Sequence, residues 1–102
     1  MPEFKSGVVM WRMHPEIENQ LDALDQVSNV VLGRRAIITA ARDGFHSSRS
    51  FHYKGAAIDL RTRDIASQSK RREYRDAIAA RLGPQWDVIL ESDHIHVEFD
   101  PD

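Results

Sequence analysis

The most informative part of this sequence for its fold is Trp86-Asp-Val-Ile-Leu-Glu-Ser-Asp-His-Ile-His-Val-Glu-Phe99. It contains two runs with the composition of β-strands, Trp86 to Leu90 and His94 to Phe99. The polar triplet Glu91-Ser-Asp93 separates them. Because a short polar segment between two strand-like runs is typical of a turn, we predict that the two runs are neighbouring antiparallel strands.

Upstream of this stretch, the sequence predicts two helices and two further strands. After Pro15, apolar residues recur at spacings of three and four, which predicts a helix that ends at Gly33. A second helix is predicted from an N-cap at Asp64 to Leu82. The further strands are predicted at Ala36 to Thr39 and at Ala56 to Leu60. This order of elements predicts an α+β domain, in which a small antiparallel sheet is flanked by two main helices.

Length and charge limit the function. The 102 residues suit a single domain that spans residues 1–102. Fourteen basic and sixteen acidic residues give a net charge of −2, which argues against a nucleic-acid partner. Seven of the basic residues lie between Arg61 and Arg81, and we interpret them as a solvated helix face.

No apolar run approaches the roughly 18 to 20 residues of a membrane span, and no secretion signal is recognisable, so we expect synthesis in the cytoplasm.

Histidines are concentrated in two short segments of the chain. His46 and His52 precede the strand predicted at 56–60, whereas His94 and His96 lie in the last strand. Since side chains two residues apart on a strand point to the same face, His94, His96 and Glu98 should lie on one side of the sheet. This pattern indicates either a pair of metal ligands or a solvent-facing polar row on an edge strand.

The chain has no cysteine, so a bound metal must use histidine and carboxylate ligands. Zinc in hydrolases commonly has three such protein ligands and leaves its fourth position to water. His52, Asp59 and one of His94 or His96 would supply this set. A nearby carboxylate must then take the proton of the water and return it to the leaving group, and we assign this role to Glu91.

Together, Ser50-x-His52-x-x-Gly55-x-Ala57-x-Asp59 and Glu91-x-Asp93-His94-x-His96 resemble the paired signature of the LAS metallopeptidases. This family includes zinc D-Ala-D-Ala carboxypeptidases and dipeptidases and phage endolysin peptidases. The resemblance implies Zn²⁺ as the cofactor, bound by His52, Asp59 and His96, with Glu91 and His94 as the catalytic residues. In some branches of the family the third ligand lies three residues after the catalytic Glu, at His94 here, but we favour His96.

The resemblance is to small phage-type members and implies peptidoglycan as the substrate. We therefore expect a zinc-dependent peptidase that hydrolyses a peptide bond of the stem peptides in the cell wall, either as a D-Ala-D-Ala carboxypeptidase or as an endopeptidase. A phage enzyme and a cytoplasmic recycling enzyme both fit this expectation. The candidates for substrate binding are Arg42 and Arg49, one of which would bind the substrate carboxylate, together with Tyr53, Ser50 and Asp93.

Two other functions fit parts of the same pattern. The hedgehog signalling domain resembles this family, so the chain could be a catalytically inactive, zinc-bearing binding module of the same fold. It could also be a metal-free interaction domain in which both motifs are coincidental. Glu91 favours the enzyme, because a purely structural site does not need a carboxylate beside an open coordination position.

Overall fold

The computed structural model of the chain, described over residues 1–42 and 56–101, consists of two helices and one five-stranded sheet. In chain order the elements are β1 (Glu3–Phe4), α1 (Pro15–Leu32), β2 (Ile37–Ala40), β3 (Ala57–Arg61), α2 (Gln68–Leu82), β4 (Trp86–Leu90) and β5 (His94–Phe99). The predicted α+β class is therefore confirmed. Over the same described residues, neither helix is long and apolar enough to cross a membrane.

The strands are ordered β1-β2-β3-β5-β4 across the sheet. The predicted hairpin of β4 and β5 is confirmed, since Val88 lies opposite Val97 and the Glu91 amide donates to the His94 carbonyl at 2.9 Å. β3 pairs antiparallel with both β2 and β5. The sheet that we predicted as antiparallel is mixed, because β1 runs parallel to β2. With two residues, β1 is too short to show a period in the sequence.

The first helix has the boundaries that the sequence predicts. At its start, Nδ1 of His14 accepts a hydrogen bond from the Glu16 amide at 3.1 Å, while proline occupies the first turn. At its end, Gly33 adopts a left-handed conformation with φ of 71° and donates its amide to the Asn29 carbonyl at 3.0 Å. Both ends thus satisfy backbone groups that the helix itself leaves unpaired.

The second helix begins later than predicted, and the N-cap prediction at Asp64 is wrong. Ser67 is the N-cap, since its side-chain oxygen accepts a hydrogen bond from the Lys70 amide at 3.2 Å. Asp64 lies instead in a turn before the helix, where its carboxylate forms an ion pair with Arg34. The Asp64 carboxylate thus contacts a distant segment, whereas Ser67 caps the helix.

The core lies between the helices and one face of the sheet. It contains Ile58 and Leu60 of β3 and Ile95 and Val97 of β5, all fully buried, together with apolar residues of both helices. The helix residues in this core include Ile17, Leu21 and Leu24 of α1 and Tyr74 and Ile78 of α2. Because side chains alternate along a strand, the residues between these strand positions lie on the opposite face, away from the helices. That face carries the candidate site.

Candidate metal centre

Three potential metal ligands lie on this second face, at the pairing of β3 with β5. Asp59 of β3 lies directly opposite His96 of β5. The distance from Asp59 Oδ1 to His96 Nδ1 is 3.2 Å, and that from Asp59 Oδ2 to His94 Nε2 is 3.8 Å. One carboxylate therefore contacts both imidazoles of the His-x-His pair.

The separation of the closer pair is compatible with two ligands of one zinc ion. Two ligands at about 2.0 to 2.2 Å from a tetrahedral zinc lie roughly 3.3 Å from each other. Asp59 Oδ1 and His96 Nδ1 have nearly this separation, 3.2 Å, whereas the atoms of the Asp59–His94 pair lie further apart. The assignment of His96 as a ligand remains a prediction, and so does the third ligand, because His52 lies outside the described residues.

The ring of His96 is held by carboxylates on both sides. Its Nε2 lies 2.8 Å from Glu98 Oε1, while Nδ1 faces Asp59. The hydrogen bond to Asp59 is the main reason why the pKa of His96 is raised to about 9; burial opposes this shift and Glu98 adds to it. A metal ion at Nδ1 would therefore compete with a proton for the same nitrogen.

His94 is held by its sequence neighbour. Its Nδ1 lies 2.7 Å from Asp93 Oδ1, and this hydrogen bond lowers the pKa of the Asp93 carboxyl. Glu91 directly follows β4, and its amide donates to the His94 carbonyl at 2.9 Å. The Glu91 side chain is exposed and does not line the cleft beside Asp59 and His94. Its role as acid and base remains a prediction.

A cleft of about 150 Å³ opens beside Asp59 and His94. Its lining includes three cationic residues, Lys5, Arg61 and Arg63. The other lining residues are Thr39, Asp59, Asp93 and His94. Within the described part of the chain, the buried Nε of Arg61 has no hydrogen-bond partner. The cleft therefore combines the candidate ligand Asp59 with groups that attract anions.

The cationic side of the cleft was not predicted from the sequence. Arg61 and Arg63 belong to the basic segment that we interpreted as a helix face, and this interpretation is wrong for both. Arg61 is the last residue of β3, and Arg63 lies in the turn before α2. Lys5 follows β1, whose position beside β2 depends on pairing between distant segments.

Arg42 has backbone partners in the N-terminal segment. Its Nε donates to the Trp11 carbonyl at 2.9 Å, and its Nη2 donates to the Arg12 carbonyl at 2.8 Å. These bonds give Arg42 a structural role, and its predicted contact with the substrate carboxylate stays untested. Four other predicted residues lie outside the described residues, namely Arg49, Ser50, His52 and Tyr53.

A second group of carboxylates lies at the far end of the hairpin. Oxygen atoms of Asp87, Glu98 and Asp100 lie within 4.8 Å of one another. Asp87 is opposite Glu98 in the sheet. Acidic groups near the surface are often found together without a metal ion, so this proximity alone does not define a site.

Comparison of the chain with protein-family models, with characterised proteins and with solved structures gave no match.

Proposed function

We propose that the chain is a zinc-dependent peptidase that hydrolyses a peptide bond in the stem peptides of bacterial peptidoglycan. The observation that carries this proposal is the 3.2 Å approach of Asp59 and His96 on a sheet face that also bears His94. A carboxylate and an imidazole at the spacing of two tetrahedral ligands are the donors that hydrolytic zinc sites use. The motif that includes Glu91 lies in the adjoining hairpin.

Asp59 and His96 would hold the ion together with His52, which is the third ligand implied by the family resemblance. When bound, the ion supplies Lewis-acid chemistry, which polarises a carbonyl and makes water easier to deprotonate. Glu91 would take a proton from the attacking water and pass it to the departing amine. His94, held by Asp93 at 2.7 Å, would orient the substrate at the mouth of the cleft.

The charge of the cleft supports a substrate with carboxylates. Stem peptides carry free carboxylates, and Lys5, Arg61 and Arg63 line the cleft next to Asp59. Guanidinium groups bind carboxylates with directed hydrogen bonds, which fixes the orientation of a substrate as well as its affinity. As a phage-type enzyme, the protein would be made in the cytoplasm and would act on the cell wall.

The first experiment measures zinc content and peptidoglycan hydrolysis on the same preparations of the full chain. Wild type is compared with Glu91→Gln and with the control Glu18→Gln, which makes the same chemical change at an exposed position of α1. We expect about one zinc per chain in all three proteins. Hydrolysis should fall by about 10²-fold or more in Glu91→Gln alone, since this is the usual contribution of a general acid and base.

The products distinguish the two forms of the reaction. Release of free D-alanine, measured by mass spectrometry, would identify a carboxypeptidase, whereas a new amine inside the stem peptide would identify an endopeptidase. If the protein binds zinc but hydrolyses no wall preparation, the result would favour the catalytically inactive binding module. Absence of zinc from the wild-type protein would contradict both functions.

A further inference from the structure

Asp59, His96 and Glu98 form a continuous row of hydrogen-bonding groups across two strands. Asp59 Oδ1 lies 3.2 Å from His96 Nδ1, and His96 Nε2 lies 2.8 Å from Glu98 Oε1. The row follows from the sheet itself. Asp59 and His96 are register partners, and Glu98 is two residues after His96 on the same face of β5. The exposed fractions of these side chains are 12, 18 and 16% respectively, so the row is largely shielded from water.

Both nitrogens of the His96 ring thus face a carboxylate, Asp59 at Nδ1 and Glu98 at Nε2. A neutral imidazole carries one hydrogen, and the nitrogen without it is the one that can bind a metal. A carboxylate accepts hydrogen bonds, and with zinc bound Asp59 would bind the ion, so Glu98 would remain as the acceptor and would favour the hydrogen on Nε2. The lone pair would then be on Nδ1, beside Asp59 and available to the same ion.

We infer that Glu98 is a positioning residue that fixes the ring orientation and tautomer of His96 so that Nδ1 is the metal-binding nitrogen. Metal-ligating histidines commonly donate their second N–H to a carboxylate, and loss of that carboxylate typically costs 10- to 100-fold in metal affinity or activity. The inference rests on the proposed zinc site, and it adds a residue that the paired motifs do not assign.

Two neighbouring carboxylates provide matched controls. Asp87 and Asp100 lie close to Glu98 and share its charge. If Glu98 acted only through its negative charge, removal of the charge of Asp87 or Asp100 would weaken zinc binding to a similar extent. If it acts through its hydrogen bond to Nε2, only changes at Glu98 will affect the metal.

The test measures zinc affinity of the full chain by competition with a chromogenic chelator. We expect Glu98→Ala to weaken zinc binding about 10- to 100-fold. Glu98→Gln should weaken it less, since the amide oxygen still accepts a hydrogen bond from Nε2. Asp87→Asn and Asp100→Asn should bind zinc as wild type does. Nitrogen NMR of the zinc-loaded wild type should show the hydrogen of His96 on Nε2, and this readout does not depend on a variant that folds.

The outcomes separate this inference from the proposed function. No zinc binding by the wild type would contradict the proposed function itself. If Glu98→Ala binds zinc with the affinity of wild type, the positioning role of Glu98 would be overturned, whereas the proposed zinc site would not be contradicted. Equal losses in Glu98→Ala, Asp87→Asn and Asp100→Asn would also overturn it, in favour of general charge. A hydrogen on Nδ1 in the zinc-loaded protein would have the same consequence.

Discussion

Asp59 on β3 and His96 on β5 lie directly opposite each other in the sheet, and their facing atoms, Oδ1 and Nδ1, are 3.2 Å apart. The two residues are 37 positions apart in sequence, with the whole of α2 between them. Their meeting depends on the antiparallel pairing of β3 with β5, which buries Ile58 and Leu60 beside Ile95 and Val97 on the other face. Apolar packing on one face thus sets the separation of polar groups on the other.

The first prediction concerns which histidine binds the metal. His96→Ala should lower zinc affinity by more than about 100-fold, because it removes a ligand and not only its support. Asp59→Asn should also weaken binding, since the amide carries no charge. His94→Ala should retain zinc, because His94 lies further from Asp59, at 3.8 Å. The measurement is the competition assay with a chelator. Loss of zinc in His94→Ala with retention in His96→Ala would reverse the assignment.

The second prediction concerns the cationic side of the cleft. Lys5→Gln and Arg63→Gln should each raise KM for a stem-peptide substrate roughly two- to fivefold and leave kcat unchanged. This range corresponds to the free energy of an ion pair near the surface, up to about 1 kcal/mol. Both effects should shrink at high salt, which screens such pairs.

The control for this prediction is Arg72→Gln, which removes a cation from the exposed side of α2. It should leave KM unchanged, because Arg72 does not line the cleft. An equal rise of KM in Arg72→Gln would mean that net charge, and not the cleft, attracts the substrate. An unchanged KM in both cleft variants would contradict a binding role for these cations.

The sequence was sufficient for those parts of the fold that depend on local pattern. The period of α1 and its end at Gly33, and the two strand-like runs at 86–99, predicted elements that the structure contains. The strands predicted at 36–39 and 56–60 occur at Ile37–Ala40 and Ala57–Arg61, one residue later. The N-cap of α2 was missed because both Asp64 and Ser67 are good capping residues, and local pattern does not show that Asp64 pairs with the distant Arg34.

The candidate site was predictable only in part, because local pattern does not show which distant segments pair in the sheet. Alternation along β5 was enough to predict that His94 and His96 share a face. The position of Asp59 opposite His96, and that of Lys5 near the cleft, depend on strand pairing between distant segments. The second contact of His96 is with Glu98, which the alternation had placed on the same face without a role.

The third prediction concerns the end of α1. Gly33→Ala should destabilise the protein by about 1 to 2 kcal/mol, because φ of 71° is unfavourable for a residue with a Cβ. Apart from the adjacent chain, no atom of residues 1–42 and 56–101 lies within 4 Å of the position that this Cβ would take, so the cost is that of the backbone conformation. Thermal unfolding should show a fall in Tm of roughly 4 to 8 °C per kcal/mol. Gly33→Asn should cost less, since asparagine adopts this conformation more readily. Equal losses in both variants would contradict this explanation.

The fourth prediction is a pH dependence of stability that comes from Asp64. The hydrogen bond to Arg34 holds the pKa of the Asp64 carboxyl below its usual value. The folded state therefore favours the carboxylate, and its stabilisation is present above the pKa of unfolded Asp, about 3.9. It is lost as the pH falls through the lower pKa of the folded state. Since the Asp64 side chain is 42% exposed, we expect the ion pair to contribute less than about 1 kcal/mol to the free energy of unfolding.

Urea unfolding should thus show that wild type is more stable than Asp64→Asn at pH 6, with a difference that shrinks below about pH 4. The difference should be reduced in an Arg34→Gln background, and a difference that is the same at pH 6 and pH 2.5 would contradict the ion pair as its cause.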